Sequence, residues 1–214
     1  MNSLMLYCWD MTDNPKPSCL ISRLFRFAAW SAAVVVIVPL AFYGFLHIDH
    51  NQHVVEPGVL YRSAQLPATE FTAFAQRTGL RTVINLRGEN IGRDWYDAQF
   101  QAAQAMGVGF INYRMSAKKE LTPAQMAELA HILKSAPKPV LIHCGSGSDR
   151  SGLACALYLY EEGRSPAEVA GQLSLRFGHF PYLWSGSWAM DDSLKAHAEN
   201  SPSSARKLAN VGEN

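Results

Sequence analysis

No run of lysine or arginine and no basic helix face occurs in the 214 residues, and 19 Lys and Arg stand against 18 Asp and Glu, a formal net charge of +1. A nucleic acid would find few cations with which to displace its counterions, so a phosphate-backbone partner is excluded. The chain holds four cysteines, Cys8, Cys19, Cys144 and Cys155, and no disulfide framework is apparent among them. Cys155 falls inside an expected helix and reads as a small buried hydrophobe. Internal repeats and low-complexity segments are absent. His143 and His179 have no ligand spacing that would make a metal site. What is left is a hydrophobic content sufficient for one domain with a core of its own.

That domain is organised around residues 140–152, VLIHCGSGSDRSG, where an apolar run gives way to a cysteine, small residues, and an arginine six places on. Residues 139–143 read as a buried strand and residues 151–163 as a helix closed by glycine. The loop between them, from Cys144 to Arg150, lies at a helix N-terminus, where backbone N–H groups and the positive end of the helix dipole make an anion site. Gly145 and Gly147 let the backbone approach the anion with no Cβ in the way, and Ser146 and Ser148 complete the cradle. A helix N-terminus beside a cation favours thiolate, the nucleophilic form of cysteine, so Cys144 is poised to attack. Arg150 presents a planar fork of donors able to grip two oxygens and stabilise charge as phosphoryl transfers.

Cys144-x5-Arg150-Ser151 preceded by His143 resembles the signature of cysteine-dependent protein tyrosine and dual-specificity phosphatases, and the segment LYRSAQL from Leu60 resembles an opening segment of the bacterial dual-specificity type. The resemblance spans about residues 57–190. It implies a three-layer α/β fold, with a central, mostly parallel sheet flanked by helices, and hydrolysis of phosphate monoesters through a phosphocysteine without metal or cofactor. Related phosphatases keep a proton-donating aspartate on a movable loop upstream of the cysteine, and residues 113–121 hold none. Asp149, inside the cradle, is the preferred replacement. Its alternative role is to orient Arg150. Glu120 is the other candidate, although it lies just before Thr122-Pro123, a cap and first-turn pair. Ser151 either hydrogen-bonds the thiolate and eases its departure or caps the helix. His143 reads as a brace for backbone near Cys144. Arg62 lines the pocket or braces a loop, and Arg87 either faces the substrate or pairs with Glu89.

The second signal is at the other end of the chain. Residues 27–46, FAAWSAAVVVIVPLAFYGFL, run about twenty residues without a charge, the length that spans a bilayer. Lys16, Arg23 and Arg26 precede this run, and only histidines follow before Arg62, so the charge rule keeps residues 1–26 in the cytoplasm. A domain at residues 57–199, reached through a polar linker at 47–56, then lies outside the cytoplasm, in a bacterial periplasm. Residues 200–214 read as a loose tail.

Between these features strand and helix alternate: a turn at Pro57-Gly58, a strand at 59–61, helix 67–77, strand 82–86, helix 94–106, strand 108–112, helix 122–135, and after the cradle helices at 166–176 and 186–199. The aromatic stretch 177–184 is read as core packing for Tyr182, Trp184 and Trp188, with contact to a bilayer or an aryl ring as the alternative. The expected substrate is a phosphorylated protein or a phosphorylated lipid head group, phospholipid or lipopolysaccharide. The missing loop aspartate also admits a binding-only pseudophosphatase.

Overall fold

Short β-branched runs covered on both sides form the centre of the structure, a computed structural model that describes residues 17–182 and 186–200. The strands are β1 (His53–Glu56), β2 (Leu60–Ser63), β3 (Thr82–Asn85), β4 (Gly109–Asn112) and β5 (Val140–His143). They lie in the order β1-β2-β5-β3-β4, with β1 antiparallel at one edge and the other four parallel. The two innermost strands after β2, β5 and β3, are buried at every position, as strands with helices on both faces must be.

Side-chain alternation assigns the two faces. Val140 and Ile142 of β5 join Leu60 and Ile84 in a core with α4 (Pro123–Ser135), α5 (Asp149–Glu161) and α7 (Trp188–Asn200). Leu141 and Val83, one residue out of phase, join Phe71 and Phe74 of α2 (Ala68–Thr78) and Ala103 of α3 (Asp94–Ala105) on the opposite face. The result is helices on both faces of a mixed sheet, the layered α/β arrangement.

Helix boundaries follow local chemistry. Thr122 caps α4 by a reciprocal box with Gln125, with Pro123 in the first turn. Ser165 and Glu168 cap α6 (Pro166–Gly171) in the same way. That helix is shorter than expected: it stops after six residues, and Leu175–Phe177 forms a separate 3-10 turn ended by Gly178 at φ 77°. The segment 47–56, expected as a linker, contributes β1, whose residues are partly to fully exposed, as suits a sheet edge. Residues 1–16, 183–185 and 201–214, which include Cys8, Lys16, Trp184 and the expected tail, lie outside the described residues.

The chain divides into two units between Phe45 and Leu46. The first holds most of α1 (Pro17–Ile48), whose stretch Arg23–Phe42 has a mean hydropathy of 2.0 and is nowhere buried. By length and composition it is able to cross a membrane.

In the second unit the sheet register decides where chemistry collects. Ser63, His143 and Asn85 stand level across β2, β5 and β3. The loops that follow these strands therefore emerge side by side at the carboxyl edge, where open α/β sheets place their sites.

Candidate active site

The loop after β5 enters α5 directly: Ser148 is the N-cap and Asp149 the first helical residue. Cys144 is buried, and the Gly147 N–H donates to its Sγ at 3.2 Å. The donor reaches the sulfur from the loop that opens α5. Gly147 has φ 74°, and a Cβ there would come within 2.6 Å of the backbone at Ser63 and Ala64. Its glycine is required by the left-handed turn and by contact with the end of β2, a different reason from the one expected. At Gly145 a Cβ would meet only the Arg150 Nη2 at 3.6 Å, an ordinary contact, so Arg150 leans over the loop beside Cys144.

The floor of the loop is held by Arg62 of β2 and by Asn51 from the turn before β1. Arg62 is completely buried. Its Nη2 donates to the carbonyls of Gly147 (2.7 Å) and Ser148 (3.0 Å), and its Nη1 to the carbonyl (2.8 Å) and Oε1 (3.0 Å) of Gln172. The guanidinium also lies over the Phe177 ring, 4.0 Å from its centroid. With no exposed surface and these donors occupied, Arg62 braces the loop from below and does not line the pocket. These bonds hold the Gly147 and Ser148 carbonyls on the Arg62 side of the loop. Asn51 does the same one residue earlier, donating to the carbonyls of Ser146 (3.0 Å) and Phe177 (2.9 Å) while its Oδ1 pairs with His53 Nε2 (3.0 Å). His143 is buried, with Nδ1 3.5 Å from the Cys144 carbonyl, and burial pushes it down to about 4, so it stays neutral.

Arg150 is placed from above. Its Nη1 donates weakly to the carbonyls of Leu86 (3.5 Å) and Met115 (3.4 Å), which come from the loops after β3 and β4. The Cys144 sulfur at a helix N-terminus, the Gly147 N–H directed at it and one arginine beside the loop form an arrangement able to hold a tetrahedral oxyanion. The family model for the DSP-PTPase phosphatase domain of Swiss Army Knife proteins matches residues 50–201. The chain belongs to this phosphatase family.

Solved structures agree with that placement. TpbA from P. aeruginosa is 26% identical, covering 70% of this chain and 92% of its own, with a TM-score of 0.53. The core catalytic domain of a PP-IP phosphatase from S. cerevisiae (20% identity, 70% and 91% coverage, TM-score 0.53) and Tk-PTP in its active form (18%, 71% and 98%, 0.52) share the fold. Among curated proteins no match was found. The chain is thus a phosphoric monoester hydrolase of the dual-specificity and tyrosine phosphatase type.

At the mouth of the phosphatase site the structure adds what sequence reasoning missed. Asp149 Oδ1 lies 2.7 Å from Nδ1 of His179, and His179 Nε2 lies 2.9 Å from Asp191 Oδ2. Burial alone would lower His179, but the hydrogen bonds and charges of the two carboxylates outweigh it and raise it above its ordinary value. Ser151 sits inside α5, one turn past the N-cap, so it does not cap the helix. Its buried Oγ has no hydrogen-bond partner among the described residues. Arg87 does not pair with Glu89: its guanidinium stacks 3.4 Å from the Trp95 ring centroid, and Nη1 reaches Gln65 Oε1 at 3.4 Å. Burial and then the field of Arg150 push Arg87 down, opposed by Cys144. Glu120 is exposed ahead of the α4 cap. Cys155 is buried and pushed up to about 11 by burial, a packing residue. Tyr182 and Trp188 are exposed, contrary to the core packing expected of them, whereas Phe177 is buried against Arg62.

No sequence spacing signals the Asp149–His179–Asp191 cluster, since its members are 30 and 12 residues apart. Asn51 is also distant, but His50 and Asn51 have φ of 47° and 48°, and asparagine is among the few residues at ease there.

Proposed function

We propose that this chain is a membrane-anchored phosphatase that hydrolyses phosphate monoesters through a phosphocysteine at Cys144. The observation that carries the reading is the Gly147 N–H on Cys144 Sγ with the Arg150 guanidinium beside Gly145. The Cys144 thiolate attacks phosphorus, the N–H groups of the loop from Gly145 to Arg150 and the Arg150 guanidinium hold the non-bridging oxygens, and the ester P–O bond breaks. Asp149 gives its proton to the leaving oxygen. Water, losing its proton to Asp149, then attacks phosphorus, and the P–S bond breaks to release phosphate. Ser151 Oγ–H, buried and unengaged, is available to the departing thiolate.

The apolar stretch of α1 supports anchoring, and the cations Arg23 and Arg26 before its core support a cytoplasmic N-terminus and a periplasmic domain. The substrate class proposed first is phosphotyrosine or phosphoserine on envelope proteins. TpbA in a cysteine-to-serine form is described in complex with phosphotyrosine. A second reading, a phosphorylated lipid head group, draws on the exposed rings of Phe180, Tyr182 and Trp188, which follow His179 in the chain.

The test is turnover of an aryl phosphate by the full chain, in which Cys144→Ser should be inactive; equal activity of wild type and Cys144→Ser would overturn the reading. Phosphopeptides offered beside phospholipid vesicles separate the two substrates. A membrane-impermeant label that fails to reach the domain in intact spheroplasts would reverse the topology.

A further inference from the structure

His179 is a buried titratable residue that the mechanism above does not use. Both ring nitrogens are engaged by carboxylates, Asp149 Oδ1 at 2.7 Å and Asp191 Oδ2 at 2.9 Å. Ionised carboxylates only accept, so a ring that donates to both carries two N–H groups and a positive charge. The imidazolium is thereby given a reason to exist despite its burial, and among the described residues these two carboxylates are the charged groups that govern it. The backbone fixes it as well, through the His179 N–H to the Ser174 carbonyl at 3.1 Å. Asp149 belongs to the first turn of α5 and Asp191 to the first turn of α7. The side chain of Asp149 is 26% exposed at the cradle and that of Asp191 is 42% exposed on the far side. Carboxylate, imidazole and carboxylate thus form a line from the first turn of α5, next to Arg150 in the chain, to the partly exposed Asp191.

An ion cluster whose only task is to tie α7 to α5 has no need of the residue next to Arg150. Here His179 takes one oxygen of Asp149, Oδ1, which fixes the carboxylate and sets the Nδ1 proton beside it.

We propose that His179, backed by Asp191, is a positioning residue that orients Asp149 and stores its proton. The inference rests on the reading of Asp149 as the acid. As the Sγ–P bond forms and the ester P–O bond breaks, the His179 Nδ1 proton passes to the Asp149 carboxylate, which hands it on to the leaving oxygen and is left ionised. Neutral imidazole remains bonded to Asp191 through Nε2–H. In the second step water gives a proton to Asp149, Nδ1 is reprotonated, and phosphate leaves as the P–S bond breaks. Ester and water become alcohol and phosphate, with no further reactant.

The experiment compares the full chain on phenyl phosphate, whose leaving group needs a proton, and on 2,4-dinitrophenyl phosphate, whose leaving group does not. Asp149→Asn should lower kcat on the first by about 10²-fold and on the second by less than about 3-fold. His179→Gln should show the same selectivity, with a loss of about 10-fold on phenyl phosphate, and the double variant should be no worse than Asp149→Asn. Asp191→Asn, isosteric and partly exposed, should move the basic limb of the phenyl phosphate pH profile to lower pH. Equal losses on both substrates in His179→Gln, or an unmoved basic limb in Asp191→Asn, would overturn the proposal. If His179→Gln does not fold, the Asp191→Asn profile decides alone. Equal losses on both substrates in Asp149→Asn would instead remove the acid reading itself, and the relay with it.

Discussion

Two buried histidines bracket the phosphate loop, and their surroundings drive them in opposite directions. His143, on the floor, faces a backbone carbonyl and is pushed down to about 4 by burial. His179, at the mouth, is as well hidden, yet two carboxylates overcome the burial and raise it. The arginines divide in the same way. Arg62 below makes four short bonds to carbonyl and amide oxygens, whereas Arg150 above makes two long ones. The floor satisfies backbone and stays fixed; the mouth keeps charge available for a substrate. Stability and chemistry are therefore separable within one loop, and each half fails in its own way.

The sharpest break in that comparison comes from the upper arginine. Arg150→Met should lower kcat by about 10²–10³-fold while the melting temperature stays close to wild type. A large loss of melting temperature would show that Arg150 also belongs to the floor. Arg62→Met should reverse the pattern. It leaves buried carbonyls of Gly147, Ser148 and Gln172 without donors and should cost about 3 kcal/mol of stability, read by denaturant unfolding.

The histidines give opposite pH signatures. Between about 4 and 6.5 the unfolded chain protonates at His143 and the folded one does not, so this stability is present above pH 6.5 and lost on acidification, on the order of 3 kcal/mol. His179 contributes stability that is complete below pH 6.5 and is lost as pH rises through its raised value. Melting temperature against pH should therefore flatten on the acid side in His143→Gln and on the other side in His179→Gln; identical curves would dissolve the distinction. The smallest effect belongs to the rim: Trp95→Ala frees the Arg87 guanidinium from its ring and should raise KM about 2–5-fold with kcat unchanged.

Much of this was legible from local pattern. The buried strands, the loop-to-helix switch at Cys144 and the caps at Thr122 and Ser165 depend on neighbours within a few residues, and each was readable from spacing. The floor was half legible: Arg62 was singled out, but its role depends on Gln172, Gly147 and Ser148, which lie 85 to 110 residues away. Asn51, His179 and Asp191 carried no pattern at all, because side-chain hydrogen bonds between distant elements leave no period in a sequence. Residues 53–56 were missed as a strand because an antiparallel edge needs only one covered face. The early end of α6 was missed because the apolar spacing runs on into a 3-10 turn.

The Asn51 clip has a practical consequence for anyone trimming the gene. A catalytic fragment begun at Pro57, the boundary that composition suggests, would discard β1 and Asn51 together. The Ser146 and Phe177 carbonyls would lose their donor, and β2 would become a bare sheet edge open to pairing with another chain. Such a fragment should aggregate and bind phosphate poorly, while one begun at Leu46 should remain monodisperse and active, so the first few residues past the apolar helix are part of the enzyme's machinery.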